Sequence, residues 1–175
     1  MQSYIGFLRG INVGGQKKIK MTDLRLSLEK SGFSDVETYI QSGNLILKSE
    51  KQAKTIMSSV QECIQKDFGF EVPALVLTMG ELKNILENMP FQNTEEKNLY
   101  FTLLHQKPNR DLVYSFKELQ FENEDFVVAE NCVYLNCKKG AGKAKLNNNL
   151  IENKLKVTAT TRNLNTMLKM IEMGS

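Results

Sequence analysis

The chain has 175 residues, 41% of them hydrophobic and 25% charged, with a net charge of +3, three cysteines and one histidine. That composition supplies a buried core and excludes a disordered tail, and the length accommodates one compact unit or two small fused ones. No apolar run reaches the length of a membrane span, and "MQSYIGFLRG" at the start lacks the basic and small-residue marks of a secretion signal, so the expected location is the cytoplasm, with no membrane contact.

The charge is unevenly spread. Arg9, Lys17, Lys18 and Lys20 stand in one stretch without an acid, and Lys138, Lys139, Lys143 and Lys145 stand in another, "KKGAGKAK". Eight of the 23 basic residues are therefore gathered in two glycine-bearing segments, and the rest of the chain is net acidic. Cys63, Cys132 and Cys137 form no Cys-x-x-Cys pair, and a strand carrying the last two points them to opposite faces. A disulfide framework and a zinc knuckle are both disfavoured. With His105 alone at the end of "LYFTLL", a His-rich metal centre is impossible, and neither a metal nor a cofactor is expected.

In chain order, "SYIGFLRG" reads as a buried strand, followed by a glycine loop and the amphipathic "TDLRLSLEKSG". Thr22 is the expected N-cap, Met21 the staple against Leu26, and Gly32 the C′ residue. "VETYIQ" and "NLILKS" are strands, with a hairpin turn at 42–44. A helix is expected from Ser49, capped with Gln52, and it places Ile56, Val60, Ile64 and Phe68 on one face up to Gly69. "VPALVL" is the next strand, after which Thr78 and Glu81 form a capping box for a helix that stops before Pro90.

After the polar stretch "QNTEEKN" the same order returns: "LYFTLLH", "DLVYSFKELQ", "DFVVAE", "CVYLNC", "AKLNNNLIENKL", "KVTATT" and "NLNTMLKMIEM". The expectation is α+β, an internal duplication in which two tandem ferredoxin-like halves, residues 1–91 and 98–175, flank a polar connection at 92–97. Each half is βαββαβ plus one helix, with an antiparallel sheet whose first and third strands are central and parallel to each other.

The chemistry concentrates in three loops. In "RGINVGG", Gly10, Gly14 and Gly15 let backbone amides approach an anion, while Arg9 and the following lysines supply charge and Asn12 a polar group. The loop leads towards a helix N-terminus, a favourable place for phosphate or carboxylate. It is neither a Walker loop nor a dinucleotide fingerprint, and a tightly turned or flexible connection explains the same glycines. "GAGKAK" falls short of a phosphate loop, since Cys137 and Ala144 replace the required glycine and hydroxyl residue. Arg162 and Asn163 sit where a strand enters the last helix. They are placed either to grip an anion or, respectively, to bind an acidic side chain and to cap the helix. "TYIQSGN" offers Gln41, Ser42 and Asn44 at a turn, which the hairpin alone accounts for.

Together these blocks, "FLRGINVGGQKKIKM", "TYIQSGN", "NMPF", "GKAKL" and "TATTRNLNT", resemble a bacterial family known as domain of unknown function 1697 along nearly the whole chain. The resemblance implies duplicated ferredoxin-like α+β proteins and brings no established reaction or substrate. Ala144 stands where relatives often have Ser, and Leu164 where they often have Trp. Its polar and glycine blocks fall in loops, which favours a binding site over a spacer. The first functional expectation is therefore a small anionic ligand, phosphorylated or carboxylated, held by Arg9, Asn12 and the Gly14 and Gly15 amides, with Arg162 and Asn163 as partners. The alternative is a nucleic-acid-binding or partner-docking module using the lysine loops. It ranks second, because the strands lack the aromatic pattern of an RNA-binding sheet. Whether the chain is an enzyme, and its oligomeric state, are left open by the sequence.

Overall fold

A computed structural model describes all 175 residues. The chain forms two compact units, one of residues 1–84 with 169–175 and the other of residues 85–168.

In the first unit, β1 (Gln2–Leu8), α1 (Met21–Lys30), β2 (Ser34–Tyr39), β3 (Asn44–Ser49), α2 (Ala53–Phe68) and β4 (Ala74–Thr78) are followed by the start of α3 (Met79–Glu87). The sheet order is β2-β3-β1-β4. The second unit has β5 (Leu99–Leu104), α4 (Arg110–Lys117), β6 (Glu124–Val128), β7 (Cys132–Cys137), α5 (Asn148–Leu155), β8 (Ala159–Asn163) and the start of α6 (Leu164–Gly174), with sheet order β6-β7-β5-β8. This is the tandem ferredoxin-like α+β architecture.

One expectation about the sheets is overturned. The first and third strands are central in each sheet, but they pair antiparallel: Tyr4 opposes Leu47, and Tyr100 opposes Leu135. The crossover through α1 returns β2 in the direction of β1, and the hairpin then reverses β3. The third strand consequently slots between two strands that run the opposite way. As a result the carboxyl ends of β5 and β7 lie at opposite ends of their sheet.

Burial explains why β1 reads as a continuous apolar run rather than an alternating one. Tyr4 and Leu8 join the core beneath α1 and α2, and Ile5 and Phe7 on the other face are also buried. Beneath the helices, Leu24 and Leu28 of α1 meet Ile56, Val60 and Ile64 of α2 over Leu45, Leu47 and Val76. Cys63 joins this core and holds a polar clamp between the helices: its Sγ lies 2.8 Å from Ser27 Oγ and accepts from Ser31 Oγ at 3.2 Å. The second core gathers Phe116, Val133, Leu135, Ile151 and Leu155, with Phe126 meeting Phe116 edge to face at 5.1 Å between ring centroids.

Helix ends separate good local signals from poor ones. Thr78 and Glu81 form the expected capping box: the Thr78 N–H donates to Glu81 Oε2 at 2.7 Å, and the Glu81 N–H donates to Thr78 Oγ1 at 3.2 Å. Gly32, at φ 93, closes α1 in a Schellman motif, with its N–H on the Glu29 carbonyl and the Phe33 N–H on that of Leu28. Thr22, however, is no N-cap. α1 begins two residues earlier than that cap requires, Lys20 is the N-cap without a side-chain bond, and Leu26 is exposed rather than stapled on Met21. The Ser49 box also fails, because Ser49 is the buried last residue of β3 and α2 starts at Ala53. In both cases tertiary packing set the boundary and the local polar pattern did not.

Candidate functional site

Three connections of the first unit meet at the carboxyl end of β1. They are the loop from Arg9 to Lys20, the β2–β3 turn, and the link from α2 to β4. The meeting is made by the backbone: the Leu8 N–H donates to the Gly43 carbonyl at 2.8 Å, and the Arg9 N–H to that of Pro73 at 2.9 Å. Gly43 is buried at φ 80, and a Cβ there would stand 2.6 Å from Leu8 Cβ and 2.9 Å from Ile11 Cδ1. Only glycine lets the turn lie this close to β1.

Asn12 ties the loop together. Its Nδ2 donates to the Ile19 carbonyl at 3.0 Å and to the Gln41 carbonyl at 2.8 Å, while its Oδ1 accepts from the Ile19 N–H at 2.9 Å. Asn is suited to this position, since its φ is 54 and short polar side chains tolerate the left-handed region. The tip is a two-residue turn in which Gly14 and Gly15 both have positive φ and the Gln16 N–H returns to the Val13 carbonyl at 3.0 Å. Such a turn requires positive φ at both central positions, so these glycines serve the turn first. Lys17 Nζ then donates to the Glu71 carbonyl at 2.6 Å. The loop is bonded at its base, middle and tip, and it is not a flexible bridge.

Beside it lies an open cleft of about 630 Å³, lined by Asn12, Gly15, Lys18, Lys20, Asp23 and Gln41 among others. The first turn of α1 borders this cleft, and its N-cap Lys20 supplies no side-chain acceptor to the helix amides. Lys18 and Lys20 are exposed and bring two positive charges to a helix end that already favours an anion. Asp23, in that same turn, opposes them.

The other sequence-chosen residues sit elsewhere. Asn44 is buried and donates from Nδ2 to the Tyr39 carbonyl and to Ser42 Oγ, both at 2.9 Å, so these two residues build the hairpin turn. Gly10 has φ 72 at the start of the loop. Arg162 and Asn163 belong to the second unit. Asn163 Oδ1 accepts from the Thr166 N–H at 2.9 Å and caps α6, while Arg162 Nη1 donates to Thr160 Oγ1 at 2.8 Å and to the Thr161 carbonyl at 2.9 Å. Lys18 and Lys20 come from the basic stretch that follows the glycines, and Asp23 is the cleft residue that the glycine pattern passed over. Its signal was the true start of α1, which places it on the first turn.

The second lysine segment is partly neutralised. Lys138 pairs with Asp125 at 3.1 Å, and the Lys145 N–H donates to Glu124 Oε1 at 2.6 Å. Cys132 and Cys137 are poor nucleophiles where they lie: burial pushes Cys132 well above its ordinary range and Cys137 up to about 11, the latter with help from the Glu124 charge. No group of three or more His, Cys, Asp or Glu side chains is arranged to hold a metal ion. No helix is long and apolar enough to cross a membrane.

Comparison with known proteins bears on the fold and family. The family model described as "Protein of unknown function (DUF1697)" matches residues 1–134. A solved structure, that of the conserved bacterial protein SP0830 from Streptococcus pneumoniae, is similar over 99% of this chain and 98% of its own, with a TM-score of 0.77 and 22% identity. That likeness is one of fold. No curated protein matches the chain.

Proposed function

The chain belongs to the DUF1697 family of proteins of unknown function, and for this member we propose the binding of a small phosphorylated or carboxylated ligand in the cleft at the N-terminus of α1. The observation that carries the reading is a prebuilt loop, locked by Asn12, beside a helix end that has no side-chain cap and two exposed lysines. An anion seated there accepts from the free amides of the first turn and neutralises Lys18 and Lys20. Asn12 acts as a positioning residue, since its amide is fully used within the loop. Arg9 stands at the loop's base, and Gly15 lines the cleft and gives close backbone approach.

Magnitudes limit the ligand. The helix end contributes about 0.3–1 kcal/mol and each exposed lysine no more than about 1 kcal/mol. Together these give no more than about 3 kcal/mol, so bare phosphate is expected to bind more weakly than millimolar, which corresponds to roughly 4 kcal/mol. A tighter ligand must add groups that reach Gln41 or the loop backbone.

The test is thermal stability against phosphate, nucleotides, phosphorylated metabolites, carboxylates and single-stranded oligonucleotides. A ligand at about 100 times its Kd that binds only the folded state adds roughly 2.7 kcal/mol. The expected result is a shift with one small-anion class, abolished by Lys18→Ala with Lys20→Ala and enlarged by Asp23→Asn. No shift with any small anion, or a shift indifferent to these substitutions, overturns the reading. A response to oligonucleotides alone, falling steeply with salt, transfers it to nucleic acid.

A further inference from the structure

The second sheet leaves one backbone edge open beside a cationic helix face. β6 ends the order β6-β7-β5-β8 and pairs only with β7, in unbroken register from Glu124 opposite Cys137 to Val128 opposite Val133. Beyond its two ends, the Lys138 N–H donates to the Asn123 carbonyl and the Ala129 N–H to the Cys132 carbonyl. Bonded and non-bonded pairs alternate along an antiparallel ladder. With 123 and 129 facing β7, the N–H and C=O groups of Glu124, Phe126 and Val128 point outward, and since Glu124 is buried the open part of the edge is that of Phe126 and Val128.

Outer strands are commonly blunted by irregularity. β2 follows that rule: its pairing with β3 shifts register between Ser34 and Glu37, and Asp35 has φ 49. β6 does not, and it carries an exposed Val127.

Two clefts, of about 350 and 530 Å³, share Lys117 and Val128 and so form one groove between β6 and α4. On α4, Arg110, Tyr114 and Lys117 stand at i, i+4 and i+7 on one face, and Tyr114 is 73% exposed. The acids of the groove are already engaged: Glu130 with Lys107, Asp125 with Lys138, and Glu124 with the Lys145 amide. Arg110 and Lys117 are then the cations of the α4 wall without an ion pair, against the single carboxylate of Glu124, which is held by a backbone amide.

We propose that the open edge of β6 is a docking site for an extended acidic segment of a partner protein, which adds as a fifth strand. Its backbone pairs with the outward groups of Phe126 and Val128, and its acidic side chains, which share one side of the added strand, meet Arg110 and Lys117 across the ring of Tyr114. Main-chain pairing supplies affinity, and the alternate side chains supply selectivity. The occupant is acidic because the wall it meets is cationic.

The probe is a capped, labelled decapeptide of alternating valine and glutamate, with an alternating valine and lysine peptide as counterpart. Binding to the full chain is followed by fluorescence anisotropy at low ionic strength, with amide exchange as the structural readout. The expected result is binding of the glutamate peptide with protection of the Phe126 and Val128 amides, weakened about tenfold or more by Arg110→Glu with Lys117→Glu. Val128→Pro removes an outward donor without losing a bond to β7, and is expected to weaken binding too. The charge reversals lie on an exposed helix face, so they test the proposal even if the proline variant does not fold. Failure of the glutamate peptide to bind, equal binding of the lysine peptide, or protection elsewhere overturns it. So does self-association of the chain through this edge that the peptide cannot displace, which would make the occupant a second copy.

Discussion

Replacing Asn12 by Ala should loosen the whole carboxyl end of β1, and the cost can be worked from its bonds. Three are lost, two donated by Nδ2 and one accepted by Oδ1. At a net value of about 1 kcal/mol each they sum to about 3 kcal/mol. The bond to the Gln41 carbonyl is exposed and water can replace it, which lowers the figure to about 2 kcal/mol. Alanine at φ 54 then adds about 1 kcal/mol of backbone cost. The expected destabilisation is about 3 kcal/mol for Asn12→Ala and about 2 kcal/mol for Asn12→Gly, which is free of the φ penalty. Urea unfolding followed by circular dichroism measures both. Anion-induced stabilisation should fall in both variants as well, since the cleft shares this loop. A loss below about 0.5 kcal/mol in Asn12→Ala, the size of a neutral surface change, would refute the clamp.

Two further outcomes follow from buried positions. Gly43→Ala meets both positive φ and a Cβ 2.6 Å from Leu8 Cβ, whereas Gly69→Ala meets a similar φ of 81 with nothing within 4 Å. The first should cost about 1–3 kcal/mol more than the second in equilibrium unfolding, and equal costs would remove close approach as the reason for Gly43. For Cys137, burial raises the folded pKa from 9.0 to about 11. Above pH 9 the unfolded thiol loses its proton first, so this contribution to stability is intact below pH 9 and is lost as pH rises towards about 11. Unfolding midpoints of the native chain and of Cys137→Ala should therefore diverge less at the upper end of that window, and an unchanged gap would contradict the sign.

Much of the fold was legible because each element carried its own period and punctuation. The α2 stripe of Ile56, Val60 and Ile64 and the Thr78 and Glu81 box are local features, and the structure keeps them. The starts of α1 and α2 were misread where a polar residue beside a helix had a nearby apolar demand to satisfy: Met21 is drawn into the core as the first helical residue, and Ser49 completes β3. The antiparallel relation of β1 and β3 is a consequence of topology, which no single segment states.

The candidate site divides in the same way. From sequence alone came the two basic glycine segments and the tandem ferredoxin-like plan, because composition and periodicity are properties of the chain itself. Tertiary structure alone decided that Asn12 would spend its amide on Ile19 and Gln41, that Gly43 would sit against Leu8, and that Lys18, Lys20 and Asp23 would border one cleft. Hydrogen-bond partners far apart in the chain, and the side chains that finally share a surface, exist only once the sheet has brought β1, the β2–β3 turn and the start of β4 to one end.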